Sequence, residues 1–228
     1  MTHNETHLKS SDFITDTVIG MSDGLTVPFA LAAGLSGAVD SNTVIITAGI
    51  AEIVAGSIAM GLGGYLAGRT ELDHYQSELK REYEEVERVP EKELEEVMEV
   101  FAEYGLSENS QQIIAKELSK DKTKWVNFMM RFELGLEEPH PNRAKKSALT
   151  IGISYFIGGL LPLAAYMVTA NPQEGLLLSL ALTTLCLFTF GYFKSKVTGQ
   201  PPLTGAAKVT LIGLLAAAAA FGIAKLIS

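Results

Sequence analysis

The sequence predicts an all-α membrane protein with five transmembrane helices and a helical insert between spans two and three. The formal charge of −8 arises within residues 69–143, which hold 19 acidic and 11 basic residues, whereas the remaining chain is strongly apolar with balanced charges. Five apolar stretches outside that segment are each long enough to cross about 30 Å of hydrocarbon as a helix of roughly 20 residues. This pattern excludes a soluble single-core protein, and the acidity excludes a nucleic-acid-binding protein, which needs a basic surface.

The elements follow from the distribution of charges along the chain. The predicted spans, with their charged residues, are 13–39 (Asp16, Asp23), 41–68 (Glu52), 147–173 and 175–193 (none) and 203–224 (Lys208). We therefore divide the chain into an N-terminal segment (1–12), spans one and two (13–68), the acidic insert (69–143) and spans three to five (144–228).

Orientation follows from the cations near the helix ends. Cytoplasmic loops are enriched in Lys and Arg, and five spans place the termini on opposite sides. On the side of the insert lie Lys9, Arg69, Arg143, Lys145, Lys146, Lys194, Lys196 and Lys208, against Lys225 on the other side. The N-terminus and the acidic insert are predicted to be cytosolic, and the C-terminus luminal.

The acidic insert is predicted to be helical throughout. The helix of span two continues until Pro90, and a second helix over about 91–104 ends at Gly105. A third follows Ser107, and a fourth is capped by Asp121 and stopped by Gly135. Their predicted apolar faces include Leu94, Val97, Met98 and Phe101; Ile113, Ile114 and Leu118; and Trp125, Phe128, Met129 and Phe132.

Spans one and two contain all the carboxylates of the five predicted spans. A charge near the bilayer centre costs about 2.5–3.5 kcal/mol on insertion scales, so such residues normally face a cavity or a partner. Asp16 and Asp23 are seven residues apart and therefore share a helix face. Asp16 can be either a pathway residue or an acid at the membrane surface, with equal weight. Asp23 lies deeper in the span and is predicted to be functional. Pro28 leaves the carbonyl of Gly24 without its helical partner, which creates either a cation ligand beside Asp23 or a packing kink.

Glu52, Gly56 and Met60 follow each other at four-residue spacing and therefore lie on one face of span two. That face presents a carboxylate, a gap where Gly56 has no side chain, and a thioether. Oxygen ligands with one soft sulfur suit Fe²⁺, Mn²⁺ or Co²⁺, although a Met in a membrane helix usually serves packing alone. The single cysteine, Cys186, excludes an internal disulfide, and no His or Cys cluster is present for a dedicated copper or zinc site.

Two glycine pairs, Gly20 with Gly24 and Gly64 with Gly68, have the Gly-x-x-x-Gly spacing. This spacing permits close approach between membrane helices. The neighbouring helix can belong to the same chain or to a second copy, so the pattern predicts tight packing without specifying a dimer.

The acids of the insert recur at helical spacing in three clusters. Their members are Glu78, Glu82 and Glu85; Glu93 and Glu96; and Met129, Met130 and Glu133. Three-residue spacing puts two carboxylates on adjacent turns, where both can reach one cation. A solvated acidic surface explains any single pair, but several pairs beside a span with acids favour metal binding. A ferritin-like di-iron oxidase needs Glu-x-x-His on two helices, and His74 and His140 do not complete that pattern, because Pro139 stands directly before His140. The insert is therefore predicted to collect ions, with no catalytic residue.

Two long segments resemble the vacuolar iron transporter family. Residues 11–35, SDFITDTVIGMSDGLTVPFALAAGL, are similar to its first span, and residues 48–67, AGIAEIVAGSIAMGLGGYLA, to its second. The five spans, the position of the insert and the sequence ELGLE at 133–137 also agree. The insert resembles that of the plant-type members, which the shorter nodulin-like relatives lack.

The resemblance implies proton-coupled export of Fe²⁺, and also Mn²⁺, from the cytosol into the vacuole by a homodimer in the vacuolar membrane. It implies no prosthetic group; Co²⁺ and Zn²⁺ are further candidate ions. Carried over residue by residue, the transport path would contain Asp16, Asp23, Glu52 and Met60. The metal-binding residues of the insert would be Glu82, Glu85, Glu93, Glu96, Met129, Met130 and Glu133.

The implied mechanism has carboxylates that alternate between metal and proton, so that the acidic vacuolar lumen displaces the metal. Metal binds deprotonated ligands, so uptake is expected to fall as cytosolic pH falls. Two other classes of function are compatible with these residues. A membrane-bound metal-dependent oxidase would show redox turnover without net ion movement, and a metal-sensing scaffold would not need Asp23 or Glu52.

Overall fold

The computed structural model describes residues 12–227, and within that range it is helical with no strand. Its α-helices are α1 Asp12–Ser36, α2 Asn42–Arg88, α3 Pro90–Glu103, α4 Glu108–Leu118, α5 Lys122–Phe128, α6 Arg143–Val168, α7 Pro172–Val197 and α8 Pro202–Ile227, and a π-helical segment, Met129–Glu133, follows α5 directly. The N-terminal segment that the sequence predicts to be cytosolic lies, apart from Asp12, outside the described residues.

Five of these helices, α1, α2, α6, α7 and α8, are long and apolar enough to cross a membrane. This confirms the predicted all-α fold with five apolar spans. Each begins or ends within a few residues of the predicted bounds, and α2 continues beyond its span to Arg88, two residues before Pro90, as the sequence predicts. The cytosolic location of the insert stays a prediction.

The contacts divide the chain into two compact units. One, which we call the membrane unit, comprises Met1–Leu66 and Ala144–Ser228; the other, Ala67–Arg143, contains the acidic insert.

Glycines let α1 and α2 pack directly on the backbone of α6 in the membrane unit. A Cβ added at Gly20 would collide with the carbonyl of Ile151, and one at Gly24 with the carbonyl of Tyr155. On α2, a Cβ at Gly61 would lie 2.9 Å from the carbonyl oxygen of Ala148. The close approach predicted from Gly20 and Gly24 is thus made within one chain, as expected for small residues at membrane helix interfaces.

A separate hydrophobic core holds the helices of the acidic insert together. Its buried members include Val86 of α2, Val97 of α3, Ala115 of α4 and Trp125 of α5. Asp121 caps α5 as predicted, because its Oδ1 accepts from the backbone N–H groups of Thr123 and Lys124 at 3.1 and 3.2 Å.

Glycines also terminate helices in the insert. Gly105 and Gly135 have φ of +79° and +64°, a left-handed conformation that glycine adopts without steric cost. They follow α3 and the π-helical segment, where the sequence predicts helix ends.

Two expectations about the insert are wrong. The fourth helix is not a regular α-helix through Phe132, because its last turns widen into the π-helical segment, where Leu134 N–H bonds the carbonyl of Met129 at 3.1 Å. The wider turn leaves Phe132 exposed rather than in the apolar face. On α4, Ile113 is exposed and the smaller Ala115 occupies the core instead.

The close packing of α1 on α6 predicts that Gly20→Ala destabilises the protein. The added methyl group meets backbone, which cannot rotate away, so we expect a loss of about 1–3 kcal/mol, typical of overpacking. Gly63→Ala is the matched control, because a Cβ there has no neighbour within 4 Å, and its stability should change by less than about 0.5 kcal/mol. Thermal unfolding in detergent measures both, and equal melting temperatures would contradict the packing.

Candidate functional site

Helix α1 carries the two aspartates of the candidate pathway, and the structure buries them to different degrees. Asp16 is 3% exposed, although the sequence equally allowed a position at the membrane surface, whereas Asp23 is half-buried. They are separated by seven residues, or about 10 Å at 1.5 Å per residue. Gly24, next to Asp23, lies against the backbone of Tyr155 on α6, which brings this part of α1 next to that tyrosine.

Tyr155 connects α6 to the carboxylate of α2. Its phenol donates a hydrogen bond to Oε1 of Glu52, while Oε2 of Glu52 is buried without a hydrogen-bond partner. Its ring fills the gap that the sequence showed between Glu52 and Met60, since a Cβ at Gly56 would lie 2.5 Å from the phenol oxygen. Asp23 also interacts electrostatically with this phenol. Helices α2 and α6 thus meet at one aromatic hydroxyl, and Asp23 of α1 is near enough to act on it electrostatically.

Met60, the predicted soft ligand, is half-buried on α2. It lies eight residues after Glu52, about 12 Å along the helix. The structure therefore brings Asp23, Glu52 and Tyr155 into one neighbourhood and places Asp16 and Met60 at other levels of their helices.

The acidic insert buries two of its predicted ligands almost completely. Glu82 on α2 and Glu93 on α3 are each 1% exposed. Oε2 of Glu82 and both carboxylate oxygens of Glu93 have no hydrogen-bond partner. Because a buried charge without a partner costs much free energy, carboxylates in this state are expected to bind a proton or a cation.

The electrostatics show that the predicted acids lie close enough to act on each other. Burial raises the pKa of Glu93 to about 7, and the negative charges of Glu96, Glu82, Glu85 and Glu133 add to the effect. The pKa of Glu133 is likewise raised to about 7, first by desolvation and then by Glu96 and Glu82. Groups with such pKa values exchange protons near neutral pH.

Two cations at the edge of this cluster compensate the more accessible acids. Arg81 lies 2.8 Å from Glu78 and 3.4 Å from Glu85, and Lys92 lies 2.6 Å from Glu96. Both cations are on exposed side chains, and surface ion pairs of this kind contribute little stability and break readily. An incoming divalent cation can therefore replace them.

Met129 and Met130 are buried in the hydrophobic core of the insert beside Trp125 and Val97. They precede Glu133 in the π-helical segment, a geometry that is frequent at functional sites. Across residues 12–227, however, no group of three or more His, Cys, Asp or Glu side chains is already arranged to hold a metal ion. The predicted ligands thus form an electrostatic cluster rather than a finished coordination sphere.

Tyr155, Arg81 and Lys92 are the residues that the sequence reasoning missed. The predicted pathway consists of acids and one thioether, and span three contains no acid. A signal for Tyr155 was nonetheless present, because it is a hydroxyl-bearing aromatic residue in the middle of a span between Gly152 and Gly158. Small residues on both sides of a large polar one indicate close contact with neighbouring helices.

Comparison with known proteins places these features in a family. The model of the VIT family matches residues 14–225. Vacuolar iron transporter 1 of Arabidopsis thaliana is 50% identical over 225 residues, covering 99% of this chain and 90% of the relative.

More distant relatives also match over most of the chain. Vacuolar iron transporter 2 of Oryza sativa subsp. japonica is 47% identical over 223 residues, which cover 98% of this chain and 91% of that protein. Protein CCC1 of Saccharomyces cerevisiae is 38% identical over 222 residues, which cover 94% of this chain and 69% of that protein. A family match over nearly the full length, with relatives at these identities, establishes that this chain belongs to the VIT family.

Proposed function

We propose that this protein is a secondary transporter, not an enzyme, which moves Fe²⁺ from the cytosol into the vacuole in exchange for protons. The names of its plant relatives, vacuolar iron transporters, support the cargo and the destination. The five apolar helices support a protein that spans the membrane. Mn²⁺, Co²⁺ and Zn²⁺ are further cargo candidates, since oxygen ligands with an occasional thioether accept these ions too.

One observation carries the proposal. Buried carboxylate oxygens without hydrogen-bond partners occur in the membrane unit, at Glu52, and in the insert, at Glu82 and Glu93. Each of these carboxylates can be neutralised either by a proton or by a divalent cation. A transporter that exchanges metal for protons requires ligands that can bind both. A purely structural acid would instead have partners for both of its carboxylate oxygens.

The acidic insert is proposed to act as the cytosolic capture domain. Its negative field concentrates cations locally, and the ligands are Glu82, Glu85, Glu93, Glu96, Met129, Met130 and Glu133. The transport path then uses Asp16, Asp23, Glu52 and Met60, with Tyr155 orienting Glu52. We propose a homodimer, as the resemblance to the family implies. Its N-terminus is cytosolic and its C-terminus luminal, the topology that the distribution of Lys and Arg favours.

Asp23→Asn and Tyr155→Phe test the transport path. Both keep side-chain size, and Tyr155→Phe keeps the ring that fills the space at Gly56. Losing one charged ligand, or a hydrogen bond to a charged group, should cost about 1.4 kcal/mol or more and lower Fe²⁺ uptake at least about tenfold. The measurement is Fe²⁺ uptake into proteoliposomes under an imposed pH gradient, with interior pH recorded at the same time.

The matched control for these variants is Glu174→Gln, which removes an exposed acid from the first turn of α7. Its uptake should equal that of the wild type. Normal uptake by Asp23→Asn would refute the path assignment. A wild-type protein that binds Fe²⁺ without moving it would instead favour the metal-sensing scaffold or the oxidase.

The capture role predicts a different result for Glu93→Gln combined with Glu96→Gln. Fewer ions should bind to the full-length protein, and uptake should fall at low Fe²⁺ but recover at saturating Fe²⁺, because the path itself is intact. Glu91→Gln with Glu95→Gln removes the same charge from exposed positions of α3 and serves as the control. Equal effects of the two double variants would show that only net charge matters.

The raised pKa values of Glu93 and Glu133, both about 7, predict the pH dependence of metal binding. Below pH 7 these carboxylates are protonated and the metal must displace the protons; above pH 7 the ligands are free. Affinity for Fe²⁺ should therefore drop by up to about tenfold per pH unit below 7 for each displaced proton, and level off above 7. Anaerobic titration calorimetry in two buffers of different ionisation enthalpy measures both affinity and proton release, and a constant affinity from pH 6 to 8 would contradict the assignment.

A further inference from the structure

The acidic insert has an apolar groove on its surface, between α3 on one side and α5 with the π-helical segment on the other. We call it the aromatic groove. Its lining residues are Val100, Phe101, Tyr104, Leu106, Phe128 and Phe132. Its cavity volume of about 410 Å³ lies in the range of about 300–1,000 Å³ that is usual for ligand sites.

Packed aromatic rings form the aromatic groove. The ring centroids of Phe101 and Phe128 are 5.3 Å apart, and those of Phe128 and Phe132 are 4.9 Å apart. These are the distances of favourable aromatic pairs, so the groove is held in shape without a ligand. Tyr104 and Phe132 nevertheless stay 74% and 52% exposed. A preformed apolar surface that stays exposed is typical of an interaction site.

The rim of the groove on α3 is acidic. Glu99 and Glu103 are four residues apart and form a row directly beside the row of Val100 and Tyr104. Glu108, two residues after the groove residue Leu106, continues this acidic rim at the start of α4. All three acids are exposed, and within residues 12–227 none of them forms an ion pair. Their charges are therefore available to a partner.

The opposite rim does not balance this charge. Arg131, in the π-helical segment, is already engaged, because its guanidinium lies 5.6 Å from the centre of the Phe132 ring and 3.8 Å from Glu137. The insert as a whole carries the formal charge of −8. The surroundings of the aromatic groove thus attract a cationic partner and repel an anionic one.

This combination of shape and charge selects one kind of occupant. An anionic membrane surface would be repelled by the acidic rim. A second copy that docks through the same surface would bring two acidic rims together, which is unfavourable. A basic amphipathic helix fits both features, because its apolar residues at i, i+3, i+4 and i+7 enter the groove while its Lys and Arg residues face the rim.

We propose that the aromatic groove is a docking site for a basic amphipathic helix of another protein. The apolar side chains of that helix cover Tyr104 and Phe132, and its cations pair with Glu99 and Glu103. The docking site contains none of the residues assigned to metal capture or to the transport path. It therefore gives the insert a partner in addition to its ions.

A synthetic peptide tests the docking. The peptide forms about five helical turns, with Leu at every third or fourth position, Lys at the others and a fluorescent label. The full-length protein is held in nanodiscs of zwitterionic lipid, and fluorescence anisotropy measures binding after subtraction of the signal from empty nanodiscs. We expect the wild type to bind this peptide at least about tenfold more tightly than a peptide with Glu in place of every Lys. Equal binding of the two peptides would overturn the proposal.

Tyr104→Ser combined with Phe132→Ser tests the apolar part of the site. Both side chains are exposed, so the fold of the insert should tolerate the change, and unaltered Fe²⁺ uptake would verify this. Loss of two aromatic contacts should weaken peptide binding at least about tenfold. Ile113→Ser is the matched control, because Ile113 is also apolar and 57% exposed but does not line the groove. Equal peptide binding by the double variant and this control would overturn the proposal.

Glu99→Gln combined with Glu103→Gln tests the acidic rim. Peptide binding should weaken about threefold or more at low salt, and the difference should disappear at about 1 M salt, where screening acts within about 3 Å. Glu91→Gln combined with Glu95→Gln removes the same charge from exposed positions nearer the start of α3 and should have little effect. Equal losses in the two double variants would show that net charge alone attracts the peptide, which also contradicts the docking site.

A dye beside the groove distinguishes the other occupants. Asn127→Cys, in the Cys186→Ser background, places a thiol next to Phe128 at an exposed position of α5, where it is labelled with a polarity-sensitive dye. The Lys and Leu peptide should shift the emission to the blue. Emission that is already blue-shifted in nanodiscs and insensitive to the peptide would show that lipid covers the groove. A blue shift that grows with protein concentration in detergent would show that a second copy does, and either result overturns the proposal. None of these binding measurements uses Fe²⁺, so the docking site and the proposed transport function can fail separately.

Discussion

The rest of this structure depends on one constraint. Several carboxylates are buried away from water, and not every one of their oxygens has a hydrogen-bond partner. Glu93 illustrates it most clearly, because it is fully buried, both of its oxygens are unpaired and its pKa rises to about 7. Such a group is stable only when the surrounding fold supplies the free energy, here through the packed core around Val97 and Trp125. The same cost makes the site responsive, since a proton or a metal ion relieves it.

In the membrane unit, α6 organises the neighbouring helices although it contributes no acid. Glycines of α1 and α2 bring both helices onto its backbone, and Tyr155 then reaches Glu52 across the space at Gly56. Further along α6, Leu163 packs against Gly49 of α2 and Tyr166 forms a hydrogen bond with Ser36 of α1. One helix thus carries both the hydroxyl that bonds Glu52 and the residues that pack against α1 and α2 near their connection.

Much of the fold could be predicted because its signals are local. Runs of apolar residues determine the five spans, Pro90 cannot continue α2, and Asp121 offers its side chain to the free N–H groups of α5. The π-helical segment and the exposure of Phe132 could not be predicted, since a widened turn depends on packing against the other helices of the insert. Of the candidate site, the carboxylates were visible from the sequence, but Tyr155 was not, because its partner Glu52 belongs to another helix. Arg81 and Lys92 pair with acids three or four residues away on their own helices, a spacing that the sequence does contain.

The sequence by itself determined which residues can carry charge in the membrane and in the insert, and how they are spaced along each helix, because a helix converts spacing into a shared face. Only the tertiary structure decided which of those acids are buried away from water and left without a cationic partner. Burial is a property of the packed assembly: Glu93 and Glu91 are two residues apart on α3, yet one is buried and unpaired and the other is exposed. Desolvation and neighbouring charge, which raise the pKa of Glu93 to about 7 and on which its proposed metal binding rests, exist only once the helices have come together.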